Sequence, residues 1–266
     1  GLNGGQIYSN ASFSLPGRYS EDQYVGNVTH QFSPRQFLSL KVFTAGAKTI
    51  AIIGNLPGFT TDTQAENQNA TLAYTFTFSP WLVNEAHGSF VHVSLVSRRQ
   101  DPFGASDVGM KPAPDGATGK FPWLMIAQAG ISAGTASAYT NNSENQTGVS
   151  DTISLTRGRN AIRMGASFIR HALPQSQDYG RNAALWTYSF TDFLLGQDAA
   201  QNGLAAIGLP YSNLIDTAAA TGDFSKSYRF NDTSIFFQDD LAVRSNLTLN
   251  LVLRWDYFAC PHDVYE

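Results

Sequence analysis

Asp239 and Asp240 form the most conspicuous acidic pair in the sequence, and two carboxylates together are common equipment for general acid and base chemistry. Their surroundings, Ile-Phe-Phe-Gln-Asp-Asp-Leu-Ala-Val, read as a strand, where neighbouring side chains point to opposite faces. Without a bulge the two carboxylates cannot meet on one substrate, so the pair is expected to anchor a strand end. The five histidines, His30, His87, His92, His171 and His262, are dispersed. The nearest two, His87 and His92, fall in opposite phase on a strand. A zinc site needs three or four converging ligands, so neither a metal nor any other cofactor is expected. Gly-x-Ser-x-Gly is absent, as is a phosphate-cradling loop ending in Lys-Ser/Thr. Cys260 is the single cysteine, which excludes an intrachain disulfide and a CxxC site. The chain is not expected to be an enzyme.

Composition narrows the classes further. Charged residues make up 14% of the 266 positions, against roughly 25% in ordinary soluble domains. The deficit is filled by Asn, Gln, Ser, Thr and Gly, and mean hydropathy stays at −0.19. Soluble helical enzymes coat their outer faces with Glu, Lys and Arg, so this profile argues against them. Net charge is −4, which gives no basic footprint for nucleic acid. Asn-x-Ser/Thr triplets, such as those at Asn27, Asn69, Asn231 and Asn246, fall within or beside alternating segments, where Asn and Thr are simply the polar phase. The segment Phe121-Pro-Trp-Leu-Met-Ile126 is an apolar patch outside the alternating segments. Such patches often mark contact sites, and Phe121 and Trp123 are its candidate ligand contacts. Packing of the connection onto the body of the protein is the favoured reading.

The elements that must position these residues are strands. Leu247, Leu249, Leu251, Leu253, Trp255 and Tyr257 share one phase, and Thr248, Asn250, Arg254 and Asp256 the other. This is period-two alternation over about the 9–11 residues that cross a bilayer as a tilted strand. Leu38, Leu40 and Val42 oppose Ser39 and Lys41. Leu72, Tyr74, Phe76 and Phe78 oppose Thr71, Thr75 and Thr77. Ile162, Met164, Ala166 and Phe168 oppose Arg163, Gly165 and Ser167. Noisier patterns predict strands over 24–32, 83–97, 144–156 and 228–242, with 6–15 as a further strand or loop piece.

Ser33-Pro-Arg-Gln36, Ser79-Pro-Trp-Leu82, Arg157-Gly-Arg-Asn160 and Arg244-Ser-Asn246 have turn chemistry. Between the four hairpins lie long segments, 44–66, 100–142 and 173–227. Long structureless loops do not suit a compact soluble domain; short turns at one rim and long loops at the other are the rhythm of a transmembrane β-barrel. No window approaches the ~18 apolar residues of a membrane helix, and the first residues lack a signal-peptide pattern. The fold class expected is an all-β, antiparallel transmembrane β-barrel segment of about 8–10 meandering strands. It forms one partial barrel domain over 1–266.

The last hairpin, Ser234-Ile-Phe-Phe-Gln-Asp-Asp-Leu-Ala-Val-Arg-Ser-Asn-Leu-Thr-Leu-Asn-Leu-Val-Leu-Arg-Trp-Asp-Tyr257, resembles a recurrent hairpin of TonB-dependent outer-membrane receptors. In that family an aromatic-Gln-Asp-Asp strand end precedes a turn, then Leu-Thr-Leu-Asn and an Arg-aromatic pair. The segments 69–85, 158–170 and 190–197 resemble the Oar-like subfamily, in the order that subfamily shows. The resemblance covers the chain from about Gln23 onward. It implies an outer-membrane protein of a Gram-negative bacterium that captures a bulky solute and releases it inward when an energy-transducing inner-membrane complex displaces a plug. Plug, energy-coupling box and regulatory-like domain are not found here, and family barrels close with about twenty-two strands. The chain is therefore expected to be an internal fragment, an open curved sheet with two unpaired edges. In that frame Leu247, Leu249, Leu251, Leu253 and Trp255 face lipid, whereas Lys41, Thr75, Arg163, Asn250 and Arg254 are candidate lumen-wall residues. The partners implied are outer-membrane lipid, the transducing complex through regions outside this chain, and an unidentified solute. A passive porin-type channel and a secreted β-sandwich for carbohydrate binding or adhesion are the competing readings.

Overall fold

The computed structural model describes residues 14–109, 120–127, 129–187, 190–195 and 214–264; most of the expected 6–15 piece lies outside them. Eight long strands form four hairpins: β1 (Arg18–Ser33) with β2 (Gln36–Ile52), β3 (Thr60–Ser79) with β4 (Leu82–Gln100), β7 (Tyr139–Arg157) with β8 (Asn160–Gln177), and β11 (Ser225–Arg244) with β12 (Leu247–Phe258). Each hairpin closes through two residues: Pro34-Arg35, Pro80-Trp81, Gly158-Arg159 or Ser245-Asn246. Gly158 has φ +64°, a left-handed conformation that costs glycine no Cβ clash. The other three turns instead carry a register shift at Gln31/Ser33, Thr77/Ser79 or Ala242/Arg244. The turns are also stitched together. The carbonyls of Arg35, Trp81 and Arg159 accept from the amides of Thr77, Thr156 and Ala242 on the following hairpins, so this rim leaves few backbone groups unpaired.

The strands form one antiparallel sheet in the order β1-β2-β3-β4-β7-β8-β11-β12, and a short β13 (His262–Asp263) pairs with β11. Among the described residues β1 pairs only with β2 and β12 only with β11, so the sheet is open at both edges. The long strands have 16–20 residues, except β12 with 12. At about 3.3 Å per residue they are far longer than a bilayer crossing needs.

This corrects the expected loops. Segment 44–66 is mostly strand, since β2 continues to Ile52 and β3 begins at Thr60. Likewise β7 begins at Tyr139, β8 runs to Gln177 and β11 starts at Ser225. Small and polar residues dominate these strand halves and leave no clear apolar/polar alternation, which is why they read as loops.

The remaining connections are not structureless either. β5 (Trp123–Ile126), β6 (Ile131–Ala133), β9 (Ala184–Thr187) and β10 (Leu214–Ala218) make a second sheet in the order β10-β9-β5-β6, with β5 and β9 parallel. A 3-10 turn (Ser106–Val108) and a short helix α1 (Phe190–Leu195) lie in the same connections. The buried apolar core belongs to this module: Phe59, Phe121, Leu124, Ile126 and Ala133. The large sheet instead exposes Leu40, Leu72, Phe168, Ile235, Leu251 and Leu253. A sheet that leaves one apolar face uncovered needs lipid as its solvent.

Candidate functional site

The register sorts the large sheet into two faces. On one face, Leu40, Leu72, Gly88, Val149, Phe168, Thr233 and Tyr257 lie in one cross-strand row. The next row toward the short turns is Leu38, Tyr74, Ala86, Asp151, Ala166, Ile235 and Trp255, and the one after it includes Phe76, Ile153, Met164, Phe237 and Leu253. This is an apolar belt. Two rows in the other direction the same face reads Thr44, Gln68, His92, Asn145, Ala172 and Arg229, and beyond it Glu66, Ser94 and Ser143. The belt thus occupies only the half of each strand next to the short turns, and the far half projects into water.

Leu247, Leu249, Leu251, Leu253 and Trp255 all lie on the belt face of edge strand β12 and are exposed, Leu253 by 72%. Trp255 stacks with Tyr257 at 6.2 Å. Polar side chains that interrupt the belt include Asn84, Asp151 and Asp239. Asn84 donates to Asp151 Oδ1 at 2.6 Å and to the Thr152 carbonyl, so the carboxylate is not left bare. Asp239 and Asp240 pair with Leu251 and Asn250 and fall on opposite faces, as strand geometry requires. A shallow depression of 610 Å³ also lies on the belt side, where Ala86, Gly88 and Ala166 sit among larger side chains. Its walls are apolar, which fits the lipid side and not a route for a hydrophilic solute.

The opposite face is the candidate transport wall. Lys41, Thr75, Arg163, Asn250 and Arg254 all lie on it. One row runs through Thr75, Glu85, Thr152, Gly165, Phe236 and Arg254, and a neighbouring one through His87, Ser150, Ser167, Ser234 and Asp256. Hydroxyls are the most frequent side chains, at Thr75, Thr152, Ser150, Ser167 and Ser234, with charged groups between them: Arg254 donates to Asp256 at 2.8 Å, and Ser167 and Ser234 share a hydrogen bond at 2.7 Å. The candidates therefore share a face, spread along a wall instead of converging on a point.

The surface module carries the other candidates. Phe121 is buried in a ring cluster with Phe59 and Phe103, centroids 5.3–5.5 Å apart. Trp123 meets Trp186 edge-on at 5.0 Å and is only half-buried. An ion pair missed by the sequence reading holds this cluster. Arg99, at the end of β4, pairs with Asp101 and donates to the carbonyls of Thr135 and Phe121, while Asp101 accepts from the Phe121 amide at 2.9 Å. Both side chains are almost fully buried. Burial lowers the Arg99 pKa, and Asp101 and Asp178 act against that fall. Asp178 in turn accepts from the amides of Ala138 and Tyr139, each at 3.0 Å. Also missed were Glu144, His171 and Asp232, which meet on the polar face from three strands. No local signal marks them, because the partners stand 27 and 61 residues from His171.

No curated protein matches the sequence. The outer-membrane transporter YddB from Escherichia coli is similar in structure, with a TM-score of 0.60 at 10% identity. The similarity takes in 97% of this chain and 30% of the transporter's, so the chain spans about a third of that protein's length. At such identity the likeness speaks for the fold, a wall of an outer-membrane barrel. With one apolar face turned outward over half of each strand, one polar face behind it, and residues 2–266 matched by the outer membrane beta barrel domain family, the chain belongs to that family and resides in the outer membrane.

Proposed function

We propose that this chain is part of the wall of a TonB-dependent, Oar-like receptor that takes up a bulky solute across the outer membrane. The observation that carries the reading is the open sheet: eight long strands whose edges, β1 and β12, have no further partner among the described residues, apolar outside and hydroxyl-rich inside. An open edge in lipid leaves backbone groups without partners, so more strands must complete a barrel larger than eight. A barrel of that size encloses a lumen wide enough for a plug. The ordered likeness of 69–85, 158–170, 190–197 and 234–257 to Oar-like receptors supports the finer assignment. On this reading Lys41, Thr75, Arg163, Asn250 and Arg254 line the interior, Trp123 stands where a solute first arrives, and the chain has no catalytic step and no cofactor of its own.

The deciding experiment expresses the full-length gene product in a host with and without its inner-membrane energy-transducing complex and follows solute uptake and single-channel conductance. Uptake should require the complex, and the unenergised protein should conduct poorly. Conductance and uptake that persist unchanged without the complex would establish a passive porin-type channel instead.

A further inference from the structure

His171 lies on the polar face of β8, one residue from the row at which the far half of the strands begins. Its ring stacks on Phe230 at 4.3 Å and 7°, and its side chain is 12% exposed. Nδ1 stands 3.4 Å from Glu144 Oε1 on β7, and Nε2 stands 3.1 Å from Asp232 Oδ2 on β11. A neutral imidazole has one N–H and one lone pair. With a carboxylate at each nitrogen, the neutral ring would set that lone pair against an anion, whereas the imidazolium donates to both.

The backbone around this contact is weak. β7 and β8 pair at Asn142 with Gln175 and at Asn145 with Ala172, but Ser143 and Glu144 have no ladder partner on β8. Pro174 lies in the gap and has no N–H to give. Side chains must hold the two strands together there. We infer that His171 is a proton-operated clasp at the outer end of the transport wall. Charged, it ties β7 and β11 to β8 across the interrupted ladder; neutral, it drops the longer contact, to Glu144, and β7 loosens from β8. The strands it joins lead directly into the surface module, so the clasp sets how firmly the base of that module is held.

The surrounding charges leave this role to His171. On β7 the facing groups are Glu144 and the neutral Gln146, and on β11 they are Asp232, Phe230 and Tyr228. Arg170 and Arg229 point to the opposite face. Farther along the same face Asp256 is held by Arg254 and Asp263 by Lys226. The stabilisation is present while the ring holds its proton, because only then can both nitrogens donate, and it is lost with that proton.

The test uses the full-length protein in detergent micelles. Backbone hydrogen exchange over 142–146 and 172–173 is compared at about pH 5.5 and about pH 8, corrected for the intrinsic rate. Wild-type protein should lose protection about fivefold at the higher pH. His171→Gln, which keeps one donor, should show less than about a twofold change. The isosteric double variant Glu144→Gln/Asp232→Asn should also be insensitive, and it keeps the test decisive if the histidine variant does not fold. An undiminished pH response in the variant that folds, or no response in the wild type, overturns the clasp.

Discussion

Phe236 lies across Gly165 on the polar face, with its ring edge over the position where a glycine has no side chain. A Cβ on Gly165 would stand 2.7 Å from Phe236 Cε1 and 2.6 Å from the Asp151 carbonyl oxygen. The bare glycine leaves room for the edge of the ring against the strand, a known device of sheets with glycine in a strand.

Gly165→Ala is therefore expected to destabilise the assembled barrel by about 1–3 kcal/mol through overpacking. Phe236→Ala should restore only part of the loss, because the clash with the Asp151 carbonyl remains. Urea titration of the refolded protein in lipid, with both single variants and the double, measures this. Full restoration by Phe236→Ala would mean that the ring alone fixes the glycine.

The two faces of β12 should respond oppositely to charge. Leu251→Arg puts a cation into the apolar belt and is expected to cost about 2–4 kcal/mol near the bilayer midplane. Asn250→Arg points to the polar wall and should assemble at close to wild-type yield. Quantifying heat-resistant, membrane-inserted protein for the two variants checks the assignment of faces, and equal yields would refute it.

Removing the Arg99 guanidinium should loosen the surface module while the large sheet stays intact. Arg99→Met leaves Asp101 charged and buried without its partner, a loss of about 3–5 kcal/mol for a broken buried pair. Limited proteolysis should then cut within 101–138 while strands β1 to β4 remain protected. Replacing both partners, Arg99→Met with Asp101→Leu, should recover part of the resistance, since Asp101 is no longer stranded and Asp178 keeps its two backbone donors.

Phe121 and Trp123 separate packing from contact with solute. Phe121→Ala removes a buried ring and should cost the module about 3–5 kcal/mol, seen as increased proteolysis of the same connection. Trp123→Ala should leave proteolysis nearly unchanged and weaken capture of the transported solute by intact cells. If Trp123→Ala instead matches Phe121→Ala in proteolysis, its role is packing.

The sequence by itself determined the hairpins and the two faces. In the lipid-embedded half of each strand, one phase must be apolar and the other polar, so Leu247 to Tyr257 or Leu72 to Phe78 declare both their period and their orientation. The four two-residue turns were equally legible, because Pro, Gly, Asn and Ser serve turns for local reasons. What only the tertiary structure decided lies beyond the belt. There both faces of a strand meet water, the alternation vanishes, and segment 44–66 reads as a loop although cross-strand backbone bonds hold most of it in the sheet. The module built from Phe59, Phe121, Leu124 and Ile126, its Arg99–Asp101 support, and the meeting of His171 with Glu144 and Asp232 are set by contacts between distant residues. Nothing in the local spacing of a chain records those contacts, because the physical cause, burial against a partner tens of residues away, exists only once the strands are side by side.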